Sequence, residues 1–260
     1  SDISTLFSIY ICNGFNTHLF TLLSINFYSI FIFLYIRNVY MKIFVITRFS
    51  YIAKNDFKNF SNNPIEIYKK ILFNKNILDE KFNAFEKITH PSIINQTYNN
   101  WMWFIITSKF LPDNYKEKLS EIINNNPRIK VIFSENGGGG FQNYKKHIVK
   151  NENYATMRLD DDDGININLF KKLQTYDNSI YNNKYITFPL GQRYTINNNK
   201  ILLGSKYNSP KIALGLTRIN NYVYRIQHNK IPINNLIIDN FPNSYLLYCG
   251  NATHSKRKFY

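Results

Sequence analysis

Apolar and polar residues alternate along the chain in blocks that match buried strands separated by loops and helices. Short runs of β-branched, aromatic and other apolar residues are typical of strands that are covered on both faces. Four such runs occur in the first two thirds of the chain, at residues 42–47, 101–107, 129–133 and 155–159. Residues 48–63, which follow the first run, are polar and Asn-rich and predict a loop.

The stretches between the later runs carry helix signals. Asp79 is placed to cap a helix whose apolar positions recur at helical spacing, and Pro91 is expected to end or kink that helix. Pro112 at the favoured first turn predicts a second helix that runs to about Ile123, and residues 141–150 predict a third. Strand and helix therefore alternate at short spacing, which indicates an α/β fold.

Beyond residue 169 the pattern changes to shorter strand-like pieces. They are predicted at residues 185–189, 201–204, 211–216 and 222–226. The first half of the chain thus predicts a mostly parallel, doubly wound sheet, and the second half predicts antiparallel and mixed pairing. Sheets of this kind bind their ligands at the carboxyl ends of the strands.

Four aspartates at residues 160–163, here called the acidic run, follow the fourth predicted strand and therefore lie at such an end. Adjacent carboxylates repel one another, and a divalent cation removes that penalty because it accepts hard oxygen ligands. An Mg²⁺ or Mn²⁺ ion held there can also bind a nucleoside diphosphate and stabilise its developing charge as a leaving group. The alternative is a solvated acidic turn that caps a helix starting near Ile167.

Composition and charge leave the class of partner open. The formal net charge of +15 is consistent with an anionic partner such as nucleic acid, a membrane surface or a phosphorylated substrate. The alternative is compositional drift, because Lys, Asn, Ile, Tyr and Phe are all abundant and the lysines are spread along the chain, whereas nucleic-acid binders cluster them. We expect no nucleic-acid partner. The two cysteines form neither a disulfide framework nor a metal-binding spacing.

Residues 1–40 pose a separate question. Residues 18–36 are apolar and about long enough for a marginal membrane span, although polar residues interrupt them. Met41 begins the sequence MKIFVITRF, which is typical of a natural protein start. We interpret residues 1–40 as an apolar leader outside the core, as a membrane anchor or as a packed interfacial helix, and we predict one domain over residues 41–260.

Several motifs in this order are similar to a known family. They are VITRFSY at residues 45–51, PSIINQTYNNW at 91–101, LPDNYKEKL at 111–119 and MRLDDDDGI at 157–165. The chain resembles the GT-A glycosyltransferases and, within them, the family of putative rhamnosyltransferases. The resemblance implies a GT-A-like, Rossmann-like mixed sheet flanked by helices, with a nucleotide-sugar-binding half at residues 41–165 and an acceptor-side half at residues 166–260.

The resemblance also implies roles for individual residues. The residues that would bind the nucleotide sugar are Thr47, Arg48, Phe49, Arg158, Asp160 and Asp161. For Arg158 the alternative is a structural pair with one of the aspartates. The metal ligands would be Asp162 and Asp163, joined by His254 in the terminal segment, with His228 as the other histidine that could contact the metal or a pyrophosphate.

Inverting transfer also needs a general base to take the proton of the acceptor hydroxyl. Asp239 is the preferred candidate because it follows a strand-like apolar run in the second half, and Asp177 is a weaker one. For either residue the alternative is an ordinary turn aspartate.

The sequence thus predicts a metal-dependent glycosyltransferase that moves a sugar, rhamnose by resemblance, from a nucleotide-sugar donor. The expected acceptor is a surface polysaccharide or a lipid-linked oligosaccharide, and the expected cofactor is Mg²⁺ or Mn²⁺. A cytoplasmic location with peripheral contact at the inner face of the membrane is expected. The alternative is a catalytically inactive carbohydrate-binding or anion-binding module on the same scaffold.

Overall fold

The computed structural model describes residues 40–51, 72–134, 140–148 and 153–250, together with Glu66 and Lys70. The predictions for residues 1–39 and for His254 lie outside the described residues, so the division into a leader and one domain stays a prediction. None of the helices in these described ranges has the length and apolar character that a bilayer crossing requires.

The described strands form two sheets. The main sheet has seven strands in the order β10-β6-β9-β4-β1-β2-β3, and the small sheet has four in the order β5-β11-β7-β8. Numbered along the chain, the strands are β1 (Lys42–Phe49), β2 (Trp101–Ser108), β3 (Ile129–Ser134), β4 (Tyr154–Asp160), β5 (Gly164–Ile165), β6 (Tyr185–Thr187), β7 (Leu190–Asn197), β8 (Lys200–Asn208), β9 (Thr217–Ile219), β10 (Leu236–Ile238) and β11 (Tyr245–Tyr248).

Pairing in the main sheet changes direction at β9. β1 pairs in parallel with β2 and β4, and β2 pairs in parallel with β3. β9 is antiparallel to both β4 and β6, and β10 is parallel to β6. Since β9 alone is reversed, β4, β6 and β10 all end at the same edge of the sheet. The predicted parallel first half and mixed second half are therefore confirmed.

Within the described ranges, four α-helices accompany the sheets: α1 (Lys75–Ala84), α2 (His90–Ile94), α3 (Asp113–Ile123) and α4 (Leu169–Leu173). The predicted cap at Asp79 is wrong, because the α1 N-cap is Asn74, whose side chain accepts a hydrogen bond from the Asn76 amide. Pro91 does not end the helical segment. A π-helical turn (Phe85–Thr89) joins α1 to α2 just before Pro91, so the helical segment continues past the proline, which has no amide hydrogen to donate to the preceding turn.

The predictions for shorter elements had mixed outcomes. Residues 141–150 were expected to be helical, and a 3₁₀ helix forms there (Gly140–His147). Residues 211–216 were predicted as a strand but form turns, and residues 222–226 hold a 3₁₀ helix (Val223–Arg225). Strands β5, β7, β9 and β11 were not predicted, because β5, β9 and β11 are only two to four residues long and β7 is partly exposed without a continuous apolar run.

The core has two layers, one on each face of the main sheet, and β1 contributes to both. Ile43, Val45 and Phe49 belong to the cluster that includes residues of α1 and α3. Phe44 and Ile46 belong to the cluster on the opposite face. This alternation explains why β1 is a continuous apolar run, since both faces of a central parallel strand are covered.

Candidate active site at the carboxyl edge of the main sheet

The acidic run lies where β4 ends, beside the end of β1. Arg48 of β1 pairs in register with Asp160 of β4, so the carboxyl ends of two parallel strands meet here. Gly164 follows the run, and a Cβ at this position would lie 2.6 Å from the side chain of Ile88. The turn that holds the acidic run therefore packs tightly against the π-helical turn.

Asp160 is paired with Arg158, two residues earlier on β4. The Arg158 guanidinium donates to both carboxylate oxygens of Asp160 at 3.1–3.2 Å, and both side chains are largely but not fully buried. Burial disfavours the charged guanidinium, but the Asp160 carboxylate outweighs that effect and raises the pKa of Arg158. The pair brings one positive and one negative group to the cleft described below.

Asp161 turns into the protein and connects three segments. Its carboxylate accepts hydrogen bonds from the Lys81 ammonium at 3.0 and 3.1 Å and from the Ser50 amide at 2.8 Å. Lys81 and Asp161 are 5% and 4% exposed. Burial disfavours charged Lys81, but the Asp161 and Asp162 carboxylates outweigh it and raise the pKa of Lys81. Asp161 thus anchors the acidic run, and its predicted contact with the donor stays a prediction.

Asp162 and Asp163 join the acidic run to the small sheet. The Tyr194 hydroxyl of β7 donates to the carbonyl of Asp162, and the Tyr248 amide of β11 donates to the Asp163 carboxylate at 2.8 Å. Burial, together with the nearby carboxylates of Asp162 and Asp163, raises the pKa of Tyr194, so this hydroxyl keeps its proton. Residues far along the chain therefore fix the second half of the acidic run.

The three predicted donor-binding residues of β1 point in two directions. Thr47 and Phe49 are fully buried: Thr47 accepts a hydrogen bond from the Trp103 indole at 2.9 Å, and Phe49 packs in the core facing α1. Neither side chain is open to a ligand in this structure, so a contact with the donor would use their backbone. Their role in donor binding stays a prediction.

Arg48 lies on the face of β1 opposite to Thr47 and Phe49, beside the ring of Tyr224. Its guanidinium and that of Arg158 lie 6.0 and 5.6 Å from the ring centre of Tyr224. Burial raises the pKa of Tyr224 to about 12, although both guanidinium groups act in the other direction. Arg48 and Arg158, two of the predicted donor-binding residues, are thus brought together around one aromatic ring.

A cleft of about 550 Å³ opens at this edge of the sheet, and its volume is typical of small-molecule sites. The charged and titratable groups of its lining are Arg158, Asp160, Asp163, Arg193, Tyr207, Lys211 and His228. His228, considered from the sequence as a metal or pyrophosphate contact, is held by a hydrogen bond between its Nδ1 and the Lys211 carbonyl at 2.9 Å. The cleft therefore combines carboxylates with cationic groups.

Sequence reasoning missed Arg193, Tyr207 and Lys211 as cleft residues. Arg193 and Tyr207 lie on β7 and β8, and the Arg193 guanidinium stacks 4.5 Å from the Tyr207 ring centre. The sequence signal for this β7–β8 hairpin is the pair Asn198-Asn199 between two strand-like stretches. Both residues adopt positive φ in the hairpin turn.

Asp239 does not line this cleft. Its carboxylate accepts a hydrogen bond from the Tyr176 hydroxyl at 2.5 Å, and it forms an ion pair with Lys172 at 3.0 Å. Asp177, the weaker candidate, accepts a hydrogen bond from the Met41 amide at the start of β1, the opposite end of that strand. The general-base role of Asp239 stays a prediction.

The chemistry of the cleft suits the predicted cation. No group of three His, Cys, Asp or Glu side chains with metal-binding geometry occurs in the described ranges. Mg²⁺, however, is commonly held by one or two carboxylates together with substrate phosphates and water. Asp160 and Asp163 line the cleft and could serve in this way, although Asp163 is 0% exposed. Asp162, the other predicted ligand, is 6% exposed and is not part of the lining. The carboxylates of the cleft therefore fit a cation whose remaining ligands are the oxygens of a bound diphosphate.

A family comparison bears on this geometry. A family model described as "Putative rhamnosyl transferase" matches residues 42–242. The chain belongs to this family. The mixed, helix-flanked sheet of this member of the putative rhamnosyl transferase family agrees with the α/β architecture that the sequence predicted. No curated protein matches the chain.

Two solved structures match this member of the putative rhamnosyl transferase family at low identity. The crystal structure of residues 1–349 of S. aureus TarS is 11% identical, with a TM-score of 0.44, and the match covers 80% of this chain and 61% of that one. A structure titled as a putative glucose-1-phosphate thymidylyltransferase from Bacillus anthracis in complex with a sucrose is 11% identical, with a TM-score of 0.37 and coverage of 82% and 91%. The chain thus spans less than two thirds of the TarS structure.

Proposed function

We propose that the protein transfers a sugar from a nucleotide-sugar donor to a saccharide or lipid-linked oligosaccharide acceptor, with Mg²⁺ or Mn²⁺ assisting at the acidic run. Rhamnose is the proposed sugar because of the family. The observation that carries the proposal is the cleft, in which Asp160 and Asp163 share one lining with Arg193, Lys211 and His228. Carboxylates beside cations suit a diphosphate that is bound through both a metal ion and direct charge contacts.

The residues of the cleft would act on the leaving group. As the bond to the sugar breaks, negative charge grows on the diphosphate, and fixed positive groups aimed at that charge lower the barrier. Arg193 and Lys211 line the cleft and would bind phosphate oxygens, and Arg158 is held in the cleft by its pair with Asp160. A bound cation would supply further charge stabilisation at the same oxygens. Asp160 and Asp163 would hold that cation.

The first test is donor binding measured by thermal shift, with a panel of nucleoside-diphosphate sugars, with and without Mn²⁺. At a donor concentration of 100 times Kd, stabilisation is about 2.7 kcal/mol, which is a rise in Tm of roughly 5–10 °C for a chain of this size. We expect the rise to need both Mn²⁺ and one nucleotide family. Asp163→Asn should abolish it, since the amide keeps an acceptor for Tyr248 but lacks the charge.

The matched control is Asp113→Asn, because Asp113 is an exposed residue in the first turn of α3 and lies outside the cleft. This variant should keep the full donor response. A donor response that survives Asp163→Asn, in a variant whose own Tm is unchanged, would contradict the assignment of the metal site. Release of nucleoside diphosphate in the presence of acceptor then separates a transferase from an inactive binding module.

A further inference from the structure

The hairpin of β7 and β8 ends in an exposed apolar group. Ile201, Leu202 and Leu203, here called the hairpin tip, are 42%, 42% and 58% exposed. They lie on β8, the edge strand of the small sheet, directly after the Asn198-Asn199 turn. Three consecutive large apolar residues on an exposed edge are costly in water and mark a contact surface, because soluble proteins normally protect such edges with charge or cover.

The apolar side chains of the hairpin tip lie on both faces of the strand. Leu202 pairs in register with Thr195, whereas its neighbours Ile201 and Leu203 pair with Ile196 and Tyr194. Successive side chains of a strand point to opposite faces, so Leu202 faces away from the other two. A flat partner would cover only one face. A medium that surrounds the tip would cover both.

The charged residues of the hairpin are all basic. Residues 190–208, which form the whole hairpin, include Arg193, Lys200 and Lys206 and no acidic residue. The Lys87 ammonium reaches the turn and donates to the Asn199 carbonyl at 2.8 Å. The basic character extends further, since residues 164–238 contain ten Lys and Arg residues and a single acidic residue, Asp177. An apolar tip with a basic rim is complementary to a surface that has an apolar interior and anionic headgroups.

We propose that the hairpin tip inserts into the surface of an anionic lipid bilayer. The apolar side chains enter the boundary of the acyl chains, and Lys200 and Lys206 contact the headgroups. Leu203 is four positions before Tyr207 of the cleft on the same extended strand, a distance of about 13 Å. Insertion would therefore hold the cleft close to the lipid surface, within reach of a lipid-linked acceptor; only this last consequence rests on the proposed function.

Sedimentation of the full chain with vesicles tests the proposal. The vesicles are phosphatidylcholine alone or phosphatidylcholine with phosphatidylglycerol. We expect the unaltered chain to bind to the anionic vesicles. A variant with serine at the three tip residues should bind to them about tenfold more weakly. Lys200→Gln and Lys206→Gln should each weaken this binding by up to about fivefold. The matched control carries serine at three exposed isoleucines elsewhere and should bind like the unaltered chain: Ile167, Ile180 and Ile233.

A second measurement reports insertion directly and does not depend on loss of binding. Trp101 and Trp103 are buried, so Leu202→Trp adds an exposed indole whose fluorescence brominated lipids should quench. Equal vesicle binding by the tip and control variants, or an indole that brominated lipids do not quench, would overturn the proposal. So would a tip variant that changes only self-association, which would assign the edge to a second copy of the chain. Donor-induced thermal shifts should be unchanged in the tip variant, which separates this inference from the proposed function.

Discussion

The buried ion pair between Lys81 and Asp161 gives the sharpest stability prediction. Lys81 lies on α1, and its ammonium donates to both carboxylate oxygens of Asp161 at 3.0 and 3.1 Å. Lys81→Met keeps the length and the apolar stem of the side chain but leaves the Asp161 carboxylate buried with the Ser50 amide as its neutral donor. The predicted effect is therefore the loss of charge compensation at a site that water does not reach.

The expected magnitude follows from the geometry. At 3 Å and an effective dielectric constant of 20, the attraction between two unit charges is about 5.5 kcal/mol. Desolvation of both groups offsets much of this in the intact pair, but removal of one partner of a buried pair typically costs about 3–5 kcal/mol. We expect Lys81→Met to lower the free energy of unfolding by that amount, which would be a large share of the stability of an ordinary domain.

Urea unfolding, followed by circular dichroism, measures the change. The matched control is Lys75→Met on the same helix, because Lys75 pairs with Asp79 at 2.6 Å but its side chain is 81% exposed. Exposed pairs of this spacing contribute about 0.3–0.5 kcal/mol. If both variants lost less than about 1 kcal/mol, the pair would not be compensating a buried charge and the reasoning would be refuted.

The pH dependence has a definite sign. The pKa of Lys81 is raised in the folded protein, so its contribution is fully present below the unfolded value of about 10.4 and is lost as the pH rises through the higher folded value. The unaltered protein should lose stability above about pH 10.4 through this pair. Lys81→Met should lack that component, which a comparison of unfolding midpoints at pH 9 and above would show.

Two further substitutions test local structure. Thr47→Val should lower stability by about 1–3 kcal/mol, because it leaves the buried Trp103 indole without its acceptor; Thr47→Ser keeps the hydroxyl and should restore most of the loss in the same urea titration. Asn124 ends α3 with a φ of 44°, in the left-handed region. Asn124→Ala should therefore cost about 1 kcal/mol, whereas Asn124→Gly should not, and equal midpoints for the two variants would contradict this explanation.

The elements that sequence reasoning found were those whose signal is local. The runs of β1, β2 and β4 are buried over nearly their whole length, so their apolar character is continuous and needs no knowledge of the partner. The edge strand β3 was found from its apolar run although Phe133 is 47% exposed. Strands β7 and β11 could not be found in this way, because one face of each depends on which distant segment packs there. Residues 211–216 show the opposite error, a strand predicted where none forms. Their apolar residues Ile212 and Leu214 are buried, but they lie in turns.

The same distinction holds for the site. The place of the acidic run at a strand end could be predicted from the pattern, but the orientation of each aspartate could not. Asp161 is turned inward by Lys81, 80 residues away in sequence, and Asp163 is held by Tyr248, 85 residues away. Four identical side chains in a row carry no sequence signal that distinguishes an anchor from a cleft residue.

The contact between Asp163 and the Tyr248 amide has a consequence for the order in which the protein is built. Synthesis runs from the amino terminus, so residues 42–165, with β1 to β4 and the acidic run, leave the ribosome well before β11. Until Tyr248 emerges, the Asp163 carboxylate lacks the donor that sets its place in the cleft. The binding site is thus one of the last features to assemble, and a nascent chain stopped short of β11 would carry all four aspartates without the geometry that makes them a site.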